Sequence, residues 1–107
     1  MTWTQGEALA LVREIEGVAP EFGAHVALTG GLLYKDGVRK DADILFYRIR
    51  QVDGIDEAGL FTKLADLGIV RTKRHGWVQK ARWQGKSIDF FFPEYVDQPG
   101  DAEGAGY

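Results

Sequence analysis

Asp41, Asp43 and Asp89 are the residues of this chain whose type and spacing could do chemistry. Asp41 and Asp43 stand two apart in KDADILF. On a strand both carboxylates would point to one side, where their oxygens can grip a hard cation together. Asp89 lies in SIDFFF, a second apolar stretch. A carboxylate from a neighbouring strand would complete a site for two ions, whose spacing of about 3.5 to 4 Å suits in-line displacement at phosphorus. Three acids inside an apolar sheet repel one another and lose hydration, and bound cations remove both penalties. A D-x-D pair by itself marks a solvated turn or strand edge. Here Ile44, Leu45 and Phe46 follow at once and Asp89 sits among Ile88, Phe90, Phe91 and Phe92, an apolar load that a solvated face would not carry.

A glycine turn accompanies the acids. Thr29-Gly30-Gly31 follows the short apolar run His25-Val26-Ala27-Leu28. Such a turn entering a helix exposes backbone N–H groups that can cradle phosphates, and Thr29 adds a hydroxyl. Gly30-Gly31, then Asp41-Ala42-Asp43 after nine intervening residues, then Ile88-Asp89-Phe90, each among apolar neighbours, resembles the nucleotidyltransferase superfamily that includes DNA polymerase beta. The likeness runs from about Val26 to Phe92, and the small size is similar to that of minimal nucleotidyltransferases.

The resemblance implies a nucleotide held at Thr29, Gly30 and Gly31. It also implies two Mg2+ or Mn2+ ions on Asp41, Asp43 and Asp89, with Asp89 helping to remove the proton of an acceptor hydroxyl. The activity implied is transfer of a nucleoside monophosphate from a nucleoside triphosphate to a protein or small-molecule acceptor, with release of pyrophosphate. A second implied role is that of a protein-binding module, either an inhibitor or the antitoxin of a toxin-like partner, as in minimal nucleotidyltransferases paired with helical HEPN proteins. A homo-oligomer could supply the wall that a larger relative builds from an added domain.

These residues need a scaffold, and the rest of the sequence predicts one. Thr4 and Glu7 form a T-x-x-E capping box, and Ala8, Leu11, Val12, Ile15 and Val18 share one face of a helix from about Thr4 to Val18, ended by Pro20 and Gly23. A brief strand over His25–Leu28 leads to the glycine turn, after which Leu32, Leu33 and Tyr34 suggest a short helical turn. Arg39 to Arg50 reads as one long strand, with Asp41, Asp43, Leu45 and Tyr47 on one face and Ala42, Ile44 and Phe46 on the other. Asp56 caps a second helix carrying Leu60, Phe61, Leu64 and Leu67 and stopped by Gly68. Ile69–Arg74, Trp77–Trp83 and Lys86–Phe92 form an antiparallel meander through loops at His75-Gly76 and Gln84-Gly85. The expectation is an α+β fold with a nucleotidyltransferase-like core: a mixed sheet of about five strands with helices on one face. It occupies residues 1–92, and residues 93–107 form a flexible acidic tail.

Composition narrows the classes. A chain of 107 residues that is 45% hydrophobic suits one domain with one core. With no cysteine, disulfides and thiolate metal sites are excluded, and His25 and His75 are too far apart to suggest zinc. The chain shows no apolar run of membrane-spanning length, and its start lacks a basic leader with an apolar core, so a cytoplasmic, membrane-free protein is expected. The net charge is -3, but Glu94, Asp97, Asp101 and Glu103 all follow Pro93, leaving a body of 13 basic and 12 acidic residues. A body near neutrality does not coat duplex nucleic acid by charge. Arg71, Lys73, Arg74, Lys80 and Arg82 gather on the meander as a charged sheet face or, alternatively, as phosphate contacts. Trp77 and Trp83 share parity on one strand and read as core rather than base-stacking platforms.

Overall fold

A computed structural model describes residues 2–31 and 37–93. The fold is α+β, a five-stranded mixed sheet contacted by two helices among the described residues. In chain order the elements are β1 (Trp3–Thr4), α1 (Gln5–Glu16), a 3-10 turn (Ala19–Phe22), β2 (Ala24–Thr29), β3 (Val38–Arg39), β4 (Asp41–Arg48), α2 (Glu57–Asp66), β5 (Ile69–His75), β6 (Val78–Trp83) and β7 (Lys86–Phe91). The sheet runs β2-β4-β7-β6-β5, and β1 pairs with β3 in a separate two-stranded ribbon. All neighbours are antiparallel except β4 and β7, which are parallel.

Both helix starts follow from their caps. Glu7 N–H donates to Thr4 Oγ1 at 3.2 Å while Thr4 N–H donates to Glu7 Oε1 at 2.8 Å, closing the capping box. At α2, Gly59 N–H donates to Asp56 Oδ1 at 3.1 Å. Helix α1 stops at Gly17, short of the expected Val18. Pro20 then opens the 3-10 turn, and Gly23 ends it at φ +87°, a backbone conformation only glycine adopts cheaply.

Strand alternation decides which face is buried. Val26, Leu28, Ala42, Ile44, Phe46, Ala81, Ile88 and Phe90 all point to the face that shares a core with Leu11 and Ile15 of α1 and Leu60, Phe61 and Leu64 of α2. Phe46 stacks on Phe92 with ring centroids 5.0 Å apart, and the Phe61 ring meets Phe90 and Phe92 edge-on.

Three expectations are corrected. The long strand over residues 39–50 is broken at Lys40 into β3 and β4, because Val38 and Arg39 pair with Thr4 and Trp3 instead of joining the main sheet. The first hairpin turns at Gly76-Trp77, since His75 still pairs with Val78. Being in that turn, Trp77 escapes the parity that would have sent it into the core and is 49% exposed, whereas Trp83 packs against the core and stacks on Trp3 at 5.7 Å. The helical turn expected at Leu32, Leu33 and Tyr34 and the tail from residue 94 lie outside the described residues. Among the described residues no helix is long and apolar enough to cross a membrane.

Candidate functional site

The face of the sheet turned away from the core carries the polar side chains in rows. Thr29 pairs with Asp43, Asp43 with Asp89, and Asp89 with Lys80, so four neighbouring strands place these residues in one line. Alternation sends all four to the same side, and each is partly exposed. Asp41 stands two residues before Asp43, beside Ser87, and is exposed. The structure thus brings Asp43 and Asp89 side by side and leaves Asp41 one row away.

Gly30 follows Thr29 at φ +70°. A Cβ at this position would run into the Asp43 carboxylate, so the turn passes directly against that acid. At the next residue, Gly31, a Cβ would lie 2.7 Å from Arg39 Nε. The ribbon strand β3 therefore brings a guanidinium to the second glycine, a placement that sequence reading missed because Arg39 was assigned to the long strand.

Electrostatics mark Asp43 as the strained acid of the row. Partial burial first, then the charges of Asp89 and Asp41, raise its carboxyl above the usual range, with Lys80 opposing. Lys80 was foreseen only as one member of a basic patch. In the structure its Nζ donates to Asp89 Oδ1 at 2.9 Å, and that bond, helped by the charges of Asp89, Asp41 and Asp43, raises the ammonium above its ordinary value against a smaller desolvation effect.

The rest of the basic patch divides. Arg71 and Arg74 lie on the helical side, their guanidiniums over the Phe61 and Phe92 rings, and Arg74 also pairs with Glu57 of α2 at 2.8 Å. Arg82, in the row of Asp41 and Ser87, is exposed on the acid side and donates to Gly85 O at 3.3 Å.

Carboxylate oxygens and the Thr29 hydroxyl are hard donors, the chemistry that Mg2+ or Mn2+ requires. Among the described residues no three acidic or imidazole side chains converge on one point as they stand. Asp41 is exposed one row off, and Lys80 Nζ donates to one oxygen of Asp89. The donor chemistry fits a divalent cation at Asp43 and Asp89, and Asp41 would have to swing inward to join it.

Beside this row Thr29, Gly30, Asp43, Leu45, Trp77 and Phe91 line an open cavity of about 300 Å³. No family model matches the chain, and no curated protein matches it.

Proposed function

We propose that this protein is a metal-dependent nucleotidyltransferase, moving a nucleoside monophosphate from a nucleoside triphosphate to a hydroxyl of a protein or small-molecule acceptor. The observation that carries the reading is the row Thr29–Asp43–Asp89, with the Gly30 turn lying against the Asp43 carboxylate. Two carboxylates in register on a sheet face repel, a cost that Lys80 offsets only in part and that a bound cation would remove.

Each residue has a task in that reaction. The Gly30-Gly31 turn lets the triphosphate come close to the backbone, with the Thr29 hydroxyl and the Arg39 guanidinium beside it. Asp41, Asp43 and Asp89 would hold Mg2+ or Mn2+, which when bound neutralises phosphate charge and stabilises the charge that develops during transfer. Lys80 fixes Asp89 through Oδ1, so that its second oxygen would face both the cation and the acceptor hydroxyl. The acceptor hydroxyl oxygen attacks the α-phosphorus, the bond to the bridging oxygen of the β-phosphate breaks, pyrophosphate leaves, and the hydroxyl proton passes to Asp89. Positioning and charge neutralisation carry the rate.

The test uses each of the four nucleoside triphosphates, labelled at the α- or the γ-phosphate, with Mg2+ or Mn2+ and cell lysate. Transfer of α-label but not γ-label by the wild type, lost in Asp43→Asn, is the expected result. Transfer of γ-label would identify a kinase instead. Equal labelling by wild type and Asp43→Asn in every mixture would reject the assignment.

A further inference from the structure

Next to the row of acids the exposed face carries an apolar row. Two residues further along β4 and β7 the same face becomes apolar: Leu45 pairs with Phe91, Phe91 with Val78, and Leu45 with Ala27. At the end of that row, in the turn between β5 and β6, stands Trp77. Its ring meets Phe91 with centroids 5.7 Å apart and planes inclined at 53°, so the two rings form a corner rather than a stack. Trp77 is held in place by its backbone, whose carbonyl accepts from Phe92 N–H at 2.7 Å. With half its surface exposed, it offers a flat apolar face that the fold itself leaves uncovered among the described residues. The other two tryptophans, Trp3 and Trp83, are stacked on each other.

We infer that the corner of Trp77 and Phe91 over Leu45 binds the nucleobase of the nucleotide, with the Trp77 indole as the stacking surface. The inference rests on the proposed function, because it takes its ligand from that reading, but it concerns a part of the molecule that the acids do not touch. Three observations support it. The cavity is continuous from Thr29, Gly30 and Asp43 at one end to Leu45, Trp77 and Phe91 at the other. At about 300 Å³ and open to solvent, it lies at the small end of small-molecule sites. The acid row and the apolar row are two residues apart on each strand, about 7 Å, a span that a ribose bridges between its phosphate and its base. Stacking on a ring uses the π face that every base has, so the site tolerates several bases and prefers the purines, which offer the larger surface.

The experiment titrates the full chain, in Mg2+, with each of the four nucleoside triphosphates and separately with inorganic tripolyphosphate, following tryptophan fluorescence and heat. Nucleoside triphosphates are expected to quench the exposed Trp77, whereas tripolyphosphate binds without quenching. Trp77→Ala should weaken nucleoside triphosphate binding by about tenfold or more and leave tripolyphosphate affinity unchanged. Trp77→Phe, which keeps a ring, should retain most of the affinity and lose the quench, and it guards against a folding defect in the alanine variant. Unchanged nucleotide affinity in Trp77→Ala, or a parallel loss for tripolyphosphate, would overturn the base site while leaving the transfer reaction standing. Trp77-dependent binding without any α-label transfer would uphold the base site and reject the transferase. A wild type that binds neither ligand would reject both.

Discussion

Replacing Asp43 by Asn should stabilise the metal-free fold. Asp43 faces Asp89 across the parallel pair β4 and β7, whose axes lie about 4.8 Å apart. Two like charges at about 5 Å cost roughly 0.8 kcal/mol in bulk water and roughly 3 kcal/mol at an effective dielectric of 20. Lys80 on Asp89 opposes that cost, and partial exposure of the row places the site toward the aqueous end, so the expected gain is about 1 kcal/mol. For a folded unit of this size that amounts to about 4–8 °C in melting temperature. The pH dependence carries a definite sign. Because the folded-state carboxyl of Asp43 is raised above its ordinary 3.8, the folded form holds this proton to higher pH than the unfolded chain. Its ionisation therefore destabilises the fold at neutral pH, and the penalty disappears as the pH falls below 3.8 and both states are protonated. Thermal melts of wild type and Asp43→Asn in EDTA should show the variant ahead at pH 7.5 and the gap closing by pH 3.5. A variant that melts below the wild type at pH 7.5 would refute the reasoning.

The other expectations follow from the same contacts. Lys80→Met should lower the melting temperature by the equivalent of about 0.5–1 kcal/mol, and by less in an Asp43→Asn background, a non-additivity that a double-mutant cycle reads. Gly30→Ala should cost about 1–2 kcal/mol, since it meets both a left-handed φ and the Asp43 carboxylate. Gly31→Val, which meets the Arg39 side chain rather than backbone, should instead weaken triphosphate binding with a smaller change in the melt. Glu7 is held down to about 2, from an ordinary 4.5, chiefly by its bond to Lys86, whose ammonium also lies against the Trp3 and Trp83 rings. The stability from this depressed carboxyl is fully present above pH 4.5 and is lost as the pH falls toward 2, so Glu7→Gln should flatten the acid limb of the melting profile between those values.

Local rules carried the sequence reading furthest where one side chain answers to its own neighbours in the chain. The capping box of Thr4 and Glu7, the Asp56 cap and the parity that puts Asp41 and Asp43 on the opposite face from Ile44 and Phe46 are all of this kind. What escaped depends on partners distant in sequence. Nothing around Arg39 announces that it pairs with Trp3, so the break at Lys40 and the approach of Arg39 to Gly31 were not legible. Lys80 looked like any charge on a sheet until β6 was set beside β7 in a register that opposes it to Asp89. Trp77 was misplaced by a shift of one residue in the hairpin turn, because parity reverses its meaning once a residue leaves the strand. A Trp next to Gly in an expected hairpin was the available signal. Convergence of Asp41 with the other two acids was expected from spacing alone, and spacing does not fix the distance between rows.

The claim that Asp43 and Asp89 form a cation and triphosphate site is tested most directly by calorimetric titration of Mn2+ into the full chain. The titration is made in the presence of a nucleoside triphosphate analogue that cannot be cleaved between the α- and β-phosphates, with wild type, Asp43→Asn and Asp89→Asn compared. Saturable uptake by the wild type, weakened by about tenfold or more in each variant as charge-assisted oxygen contacts are lost, is the expected result. Uptake by the variants equal to that of the wild type, or no uptake by the wild type beyond what the analogue binds alone, would contradict it.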